Sequence, residues 1–174
     1  DKDAIVATKK YTSKGLFVPN SLIYKEMFPK WLKRFDKEKN WAFVSVVREV
    51  GQISLFDNLL KTQGRELDLF IHFVLSDEVA IERMSLRKFC PNCGATYHPK
   101  YKKEQNEGKC DLCGTTLIQR DDDQPEKIIS RLEEYNRTIR PILKVYEDRG
   151  MLVEVDAAPS IQEIHKEIVK ILHL

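Results

Sequence analysis

Four cysteines carry the clearest chemical signal in this chain. Cys90, Cys93, Cys110 and Cys113 have the spacing C-x2-C-x16-C-x2-C. Two such pairs can turn four sulfurs toward one point, the donor set of a tetrahedral structural zinc site. Gly94 and Gly114 directly follow the second cysteine of each pair, where such turns call for a positive φ. Four thiolates would fill the shell and leave no position open for a reacting water, so the expected zinc is structural. Four free thiols, or two disulfides in an oxidising compartment, are the competing reading. His98 could exchange for a ligand, but a hydrogen-bonding role fits it better because the shell is already full.

Arginines are the second set. Arg83 and Arg87 stand four residues apart, a spacing that shares one helix face. Arg120 follows the last cysteine, Arg131 lies further on, and Arg48 ends an apolar run. Guanidiniums grouped near strand ends suit phosphate binding, because each is a planar multidentate donor. Taken one at a time, each reads more readily as a surface residue paired with Glu82, Asp121, Asp122 or Asp123, and only the joint pattern favours phosphate binding.

These side chains need elements to hold them. Residues 41–47 (WAFVSVV), 69–75 (LFIHFVL) and 152–155 (LVEV) are short apolar runs, expected as strands buried on both faces of a parallel sheet. Between them lie helical patterns. Residues 20–37 read as a helix with a kink or break at Pro29, and 75–87 as a strand end followed by a helix capped by Ser76. Residues 123–149 read as a long helix started by Asp123, Pro125 and Glu126, which Pro141 should bend or split. Ser160 and Glu163 form a capping box that opens a last amphipathic helix. His72, Trp31 and Trp41 are expected as satisfied core residues, and Lys102, Lys103 and Glu104 as a solvated loop tip.

Composition narrows the classes. The 174 residues carry 29 Lys plus Arg against 27 Asp plus Glu, a formal charge of +2. That balance disfavours a nucleic-acid-binding tail. No apolar run is long enough to span a bilayer, and residues 1–10 are charged, so a cytoplasmic protein without a membrane partner is expected. Glycine is scarce, and no stretch reads GxxxxGK followed by Ser or Thr, or GxGxxG.

The segments IERMSLR, CPNCGATYH and GKCDLCGTTLIQRDDDQPEKIISRLEEY together resemble adenylate kinases of the zinc-lid type. RPILKVYEDRG, LVEVDAAPSIQEI and GLFVPNSL extend the likeness over nearly the whole chain. The resemblance implies an α/β fold: a P-loop NTPase-like parallel sheet flanked by helices, its first βα unit missing, with a small zinc-binding lid inserted. It implies a remainder of an AMP-binding segment at 1–19, core parts at 20–87 and 121–174, and a lid at 88–120. The implied reaction is MgATP plus AMP to two ADP, with Zn2+ as structural metal and Mg2+ arriving with ATP.

Residue by residue, the likeness assigns ATP contacts to Arg83 at the adenine, Arg87 at the phosphates, Thr96 and Tyr97 in the lid, and the backbone of Pro159. AMP would meet Leu16, Phe17 and Val18, with Arg48 on its phosphate and Gln52 on its base. Arg87, Arg120 and Arg131 would act on the transferring phosphoryl group, Arg120 and Arg131 also toward AMP. Asp122 and Asp123 would hinge the lid and order those arginines. Cys90, Cys93, Cys110 and Cys113 would hold zinc. Family members are monomers, whereas a chain short of its central strand is expected either to take one from a partner or a second copy or to fail to fold.

Two departures stand out. The family opens with a strand, a GxxGxGK loop and a helix, which these residues do not contain. The family's Asp-Gly-Phe-Pro-Arg is Val44-Ser45-Val46-Val47-Arg48 here, so the carboxylate that holds the magnesium water shell is replaced. The chain as given is therefore expected to turn over ATP and AMP at trace rates at most. The alternatives are a catalytically inactive pseudokinase that binds nucleotide and a non-enzymatic zinc module that presents the lid as an interaction surface.

Overall fold

A computed structural model describes residues 8–11 and 18–173. The chain divides into two compact units, Asp1–Asp68 and Leu69–Leu174.

In the first unit, a π-helical stretch Leu22–Met27 passes into helix α1, Phe28–Leu32. The change in hydrogen bonding falls beside Pro29, which has no N–H to offer a helical carbonyl. The helix expected to reach residue 37 ends at Leu32. Helix α2, Gly51–Lys61, buries Ile53, Phe56, Leu59 and Leu60 along one stripe. Tyr24, Leu32, Phe56, Leu59 and Leu60 form the core of this unit, with Leu32 fully buried. Around it runs a chain of aromatic contacts: Trp31 to Phe35 at 4.6 Å, Phe35 to Trp41 at 5.2 Å, and Phe43 to Phe56 at 5.1 Å. Trp31 remains 43% exposed, so it rims the core where a core anchor was expected.

Residues 41–47 are not a strand, contrary to the reading of the apolar run. A strand exists through its ladder partner, and none pairs with this run among the described residues. Trp41 and Phe43 face the helices while Ala42 and Val44 face outward, and at Ser45 the backbone turns left-handed, with φ 56°. Val46 and Val47 then pack on the same core, and the Tyr24 hydroxyl donates to the Val46 carbonyl at 2.7 Å.

The second unit contains strand β1 (Phe70–Val74), helix α3 (Asp77–Ser85), strands β2 (Lys88–Phe89) and β3 (Thr96–Tyr97), helix α4 (Pro125–Asp148), strand β4 (Leu152–Asp156) and helix α5 (Ile161–Ile171). β1 and β4 pair in parallel, Phe70 opposite Leu152 through Val74 opposite Asp156. Parallel neighbours need a long crossover, and α3, the cysteine segment and α4 supply it. Helices α4 and α5 both contact β4, and α3 packs on α4. The core includes Ile128, Ile142, Tyr146 and Val155, all fully buried, and Phe70 stacks on Tyr146 at 4.2 Å. β1 is not buried on both faces as expected: Phe73 and Val74 are 47% and 41% exposed.

Local signals held well in this unit. Ser76 caps α3 by accepting from the Val79 N–H. Ser160 and Glu163 close a reciprocal capping box on α5. Two expectations need correction. Asp123 does not cap α4; Gln124 occupies that position without a side-chain bond, because the Asp123 carboxylate is buried and bound elsewhere. Pro141 does not split α4, which continues through it from Pro125 to Asp148.

Candidate functional site

The cysteine segment is two matching knuckles. Cys90 N–H donates to Ala95 O and Gly94 N–H to Cys90 O; Cys110 N–H donates to Thr115 O and Gly114 N–H to Cys110 O. Gly94 and Gly114 hold φ of 76° and 70°, a region open to glycine without strain. The four sulfurs lie within 4.8 Å of one another. Cys90 and Cys113 are 3.4 Å apart, and Cys93 and Cys110 3.5 Å. A tetrahedral shell with Zn–S bonds of about 2.3 Å places sulfurs roughly 3.8 Å apart, so the donor set fits a zinc ion held by four thiolates. The Thr115 hydroxyl and backbone beside the Cys113 sulfur hold its thiol down to about 5.

Tyr97 belongs to the interior of this cysteine segment. Its ring is 2% exposed, its hydroxyl accepts from the Asp111 N–H at 2.8 Å, and it lies 3.4 Å from the Cys110 sulfur. Thr96 beside it is exposed. Glu104, expected at a solvated tip, is instead buried at 7% exposure. It accepts from the Lys88 ammonium at 2.8 Å and from the Gly108 N–H at 3.2 Å. Lys88 holds the Glu104 carboxyl down to about 2. The segment is too short to fill a core with apolar groups, so an ion pair anchors its far side. His98 is buried, and its Nδ1 accepts from the Lys100 N–H at 3.1 Å.

At the base of the cysteine segment three arginines converge on two aspartates. Arg87 lies just beyond α3, not on its face, and grips Asp123 with Nε at 2.9 Å and Nη2 at 2.5 Å. Arg120 grips Asp122 with two bonds of 2.9 Å. Arg131, in the second turn of α4, donates to the Asp122 carbonyl at 3.1 Å and its carboxylate at 3.2 Å, and lies 3.7 Å from Asp123. Asp123 is fully buried. Burial opposes ionisation of Asp122, but Arg120 and Arg131 outweigh it and hold the carboxyl below its ordinary value. Arg120 and Arg131 remain nearly half exposed, so both can turn to an anion from solvent.

Arg83 sits apart from this group. Its two terminal nitrogens donate to the Ala157 and Ala158 carbonyls, both at 2.7 Å. The loop that ends in Pro159 is thus tied to α3.

The first unit holds a separate polar group. Gln52 accepts from the Arg48 N–H at 2.8 Å and donates to Asn20 Oδ1 at 2.9 Å, while Asn20 donates to Glu49 at 2.6 Å. The Arg48 guanidinium reaches the Ser45 carbonyl at 3.3 Å and is exposed. Val18 is partly buried; Leu16 and Phe17 lie outside the described residues. Asn20, Lys88, Glu104 and the Ala157 and Ala158 carbonyls were not singled out from sequence as site residues. Glu104 alone had a usable signal, a carboxylate directly after Lys102 and Lys103 in a lysine-rich stretch.

Residues 87–122 match the family model described as adenylate kinase, active site lid. The chain is 35% identical over 164 residues to the adenylate kinase of Caldicellulosiruptor bescii, covering 94% of this chain and 76% of that protein. It is 38% identical over 164 residues to the adenylate kinase of Acholeplasma laidlawii, covering 94% and 75%. With the adenylate kinase of Clostridium beijerinckii it shares 34% over 167 residues, covering 96% and 77%.

Proposed function

The chain belongs to the adenylate kinase family, and from that premise we propose that its residues serve phosphoryl transfer from MgATP to AMP, giving two ADP. The observation that carries this reading is the convergence of Arg87, Arg120 and Arg131 on Asp122 and Asp123. Three permanent charges held by two carboxylates leave one net positive charge beside a hinged lid. Phosphate oxygens offer the same planar donors a more highly charged acceptor, so nucleotide binding exchanges carboxylate partners for phosphate ones. The arginines then align the transferring group and balance the charge that spreads over its oxygens. Asp122 and Asp123 are positioning residues that keep the guanidiniums fanned toward one place.

Thr96 is the exposed lid group available to ATP, and the buried Tyr97 ring supports the lid from inside. Arg83 faces the base of ATP beside the 157–159 loop. Arg48 and Gln52, with Val18, Leu16 and Phe17, serve AMP. Zinc on Cys90, Cys93, Cys110 and Cys113 supplies a rigid vertex for the lid and no chemistry. Magnesium enters with ATP as part of the substrate.

Val44 and Ser45 favour a second reading, a family member that binds nucleotide without transferring phosphate. Ser45 keeps a left-handed backbone where the family carries glycine, while the neighbouring carboxylate is replaced by Val44. Calorimetric titration of the zinc-loaded chain with a bisubstrate dinucleotide tests the binding common to both. Binding is expected, weakened on the order of 10-fold by Arg120→Ala or Arg131→Ala, in line with hydrogen bonds between charged groups. No affinity for ATP, AMP or the dinucleotide would leave the zinc-module reading standing. ADP formation above trace rates by the 174 residues would refute the second reading.

A further inference from the structure

A chain of three hydrogen bonds in the first unit fixes the direction in which one side-chain amide faces. The Arg48 N–H donates to Gln52 Oε1 at 2.8 Å, Gln52 Nε2 donates to Asn20 Oδ1 at 2.9 Å, and Asn20 Nδ2 donates to Glu49 Oε1 at 2.6 Å. A side-chain amide is nearly symmetric in shape, and a half-turn of its last torsion exchanges oxygen for nitrogen. Here both ends of the chain oppose the exchange. A backbone N–H only donates, and a carboxylate only accepts. Turning Gln52 over sets its nitrogen against the Arg48 N–H. Turning Asn20 over sets its oxygen against the Glu49 carboxylate.

The chain uses only half of what Gln52 offers. A primary amide has two N–H donors and two lone pairs on oxygen, and one of each is taken. The other N–H and lone pair have no partner among the described residues. Gln52 is partly buried, so these groups face a fixed direction at the protein surface. The neighbouring Arg48 guanidinium is exposed and bonds the Ser45 carbonyl through Nε, which leaves its terminal nitrogens for an anion. An anion anchor beside a donor–acceptor pair of fixed polarity is a two-point site for a phosphorylated base. A 6-amino purine shows a donor at position 6 and an acceptor at the adjacent ring nitrogen. A 6-oxo purine shows the reverse. An amide free to turn over serves both, and one that is held serves one.

We infer that Asn20 and Glu49 are positioning residues that lock the polarity of Gln52 and thereby select 6-amino over 6-oxo purine nucleoside monophosphates. This deepens the proposed function and rests on Gln52 serving the AMP base. Asn20 accepts on one atom and donates on the other, so it carries the polarity of the Glu49 carboxylate to Gln52. Asn20 and Gln52 stand 32 residues apart, so folding brings the lock together. A base of the wrong polarity then sets donor against donor and acceptor against acceptor, which costs more than the bonds it fails to make.

The test titrates the zinc-loaded chain calorimetrically with AMP and with inosine monophosphate, its 6-oxo counterpart. Wild type is expected to favour AMP about tenfold, the scale of one two-bond base contact. Asn20→Leu should erase most of that preference, chiefly through weaker AMP binding. Asn20→Asp keeps an acceptor for Gln52 and should keep the preference, with Glu49 turning to solvent. Glu49 is exposed, so Glu49→Lys leaves the fold undisturbed. Its ammonium reverses the polarity that Asn20 receives, and the preference should again be lost. A second readout needs no nucleotide: one of the Gln52 side-chain amide proton resonances should move in Asn20→Leu and hold its place in Asn20→Asp. A wild type that does not favour AMP overturns the proposal and leaves the nucleotide reading intact. Asn20→Leu and Glu49→Lys proteins that keep the wild-type preference do the same. If neither nucleotide binds wild type or any variant at millimolar concentration, the AMP reading of this group fails and takes the lock with it.

Discussion

The lid and the helical unit of residues 20–61 hold their shapes by different means. The lid's core is Cys90, Tyr97, Cys110 and Leu117, half of it sulfur ligands. Its backbone is set by two knuckles and a buried Lys88–Glu104 pair. The helical unit has no such covalent-like vertex. It depends on Tyr24, Leu32, Phe56, Leu59 and Leu60, wrapped by Trp41, Phe43, Phe35 and Val46. One region is specified by donor geometry, which tolerates no change of residue type. The other is specified by burial, which tolerates many residues of similar volume. The lesson is that a short motif constrains the first almost completely and the second hardly at all.

The largest expected effect breaks the lid alone. Cys110→Ser should abolish stoichiometric zinc, because structural zinc contributes on the order of 10 kcal/mol to folding such a segment. Metal analysis after dialysis checks this, and retention of one zinc per chain would contradict the four-cysteine ligand set. Next comes the core of the other region. Leu32→Ala removes a fully buried side chain and should cost about 2–5 kcal/mol. Trp31 and Trp41, the chain's two tryptophans, both lie there, so fluorescence in denaturant follows this region. Zinc content should stay at one per chain; simultaneous zinc loss would erase the contrast between the regions.

A smaller effect concerns the lid's ion pair. The Glu104 carboxyl is lowered from 4.5 to about 2, so its contribution is complete above pH 4.5 and declines as pH falls toward 2. Glu104→Gln should therefore lower the lid's melting temperature by the same amount at pH 6 and pH 8. A cost that varies between those two values would contradict the pairing with Lys88. The smallest effect sharpens the reading of the 41–47 segment. Ser45→Gly should stabilise the chain by about 1 kcal/mol, since a left-handed residue strains any side chain. Equilibrium unfolding that shows a loss instead would mean Ser45 is held there by contacts that outweigh the strain.

Much of the candidate site was readable because its signals are local. The cysteine spacing, Gly94 and Gly114 each fix backbone geometry within a few residues, and the knuckles follow. Ser76 and the Ser160–Glu163 box mark helix starts by bonds that span three residues. Where a residue's part depended on a distant partner, the reading went astray. Residues 41–47 look like a strand in composition, but a strand needs a neighbour, and here the apolar side chains pack on helices instead. Asp123 looks like a helix cap, but Arg87, 36 residues earlier, claims its carboxylate. Glu104 looks like a loop charge until Lys88 is brought beside it.

By itself, then, the sequence determined the donor set for a metal, the caps of two helices, three candidate strands of which two pair in parallel, and the stock of arginines. All of these follow from residue type and short spacing. Only the tertiary structure decided which carboxylates the arginines hold, which charges are buried, and that Arg83 and His98 both meet the Tyr101 ring. Those outcomes depend on chain segments meeting across tens of residues. Burial and ion pairing act on distance in space, which spacing along the chain does not record.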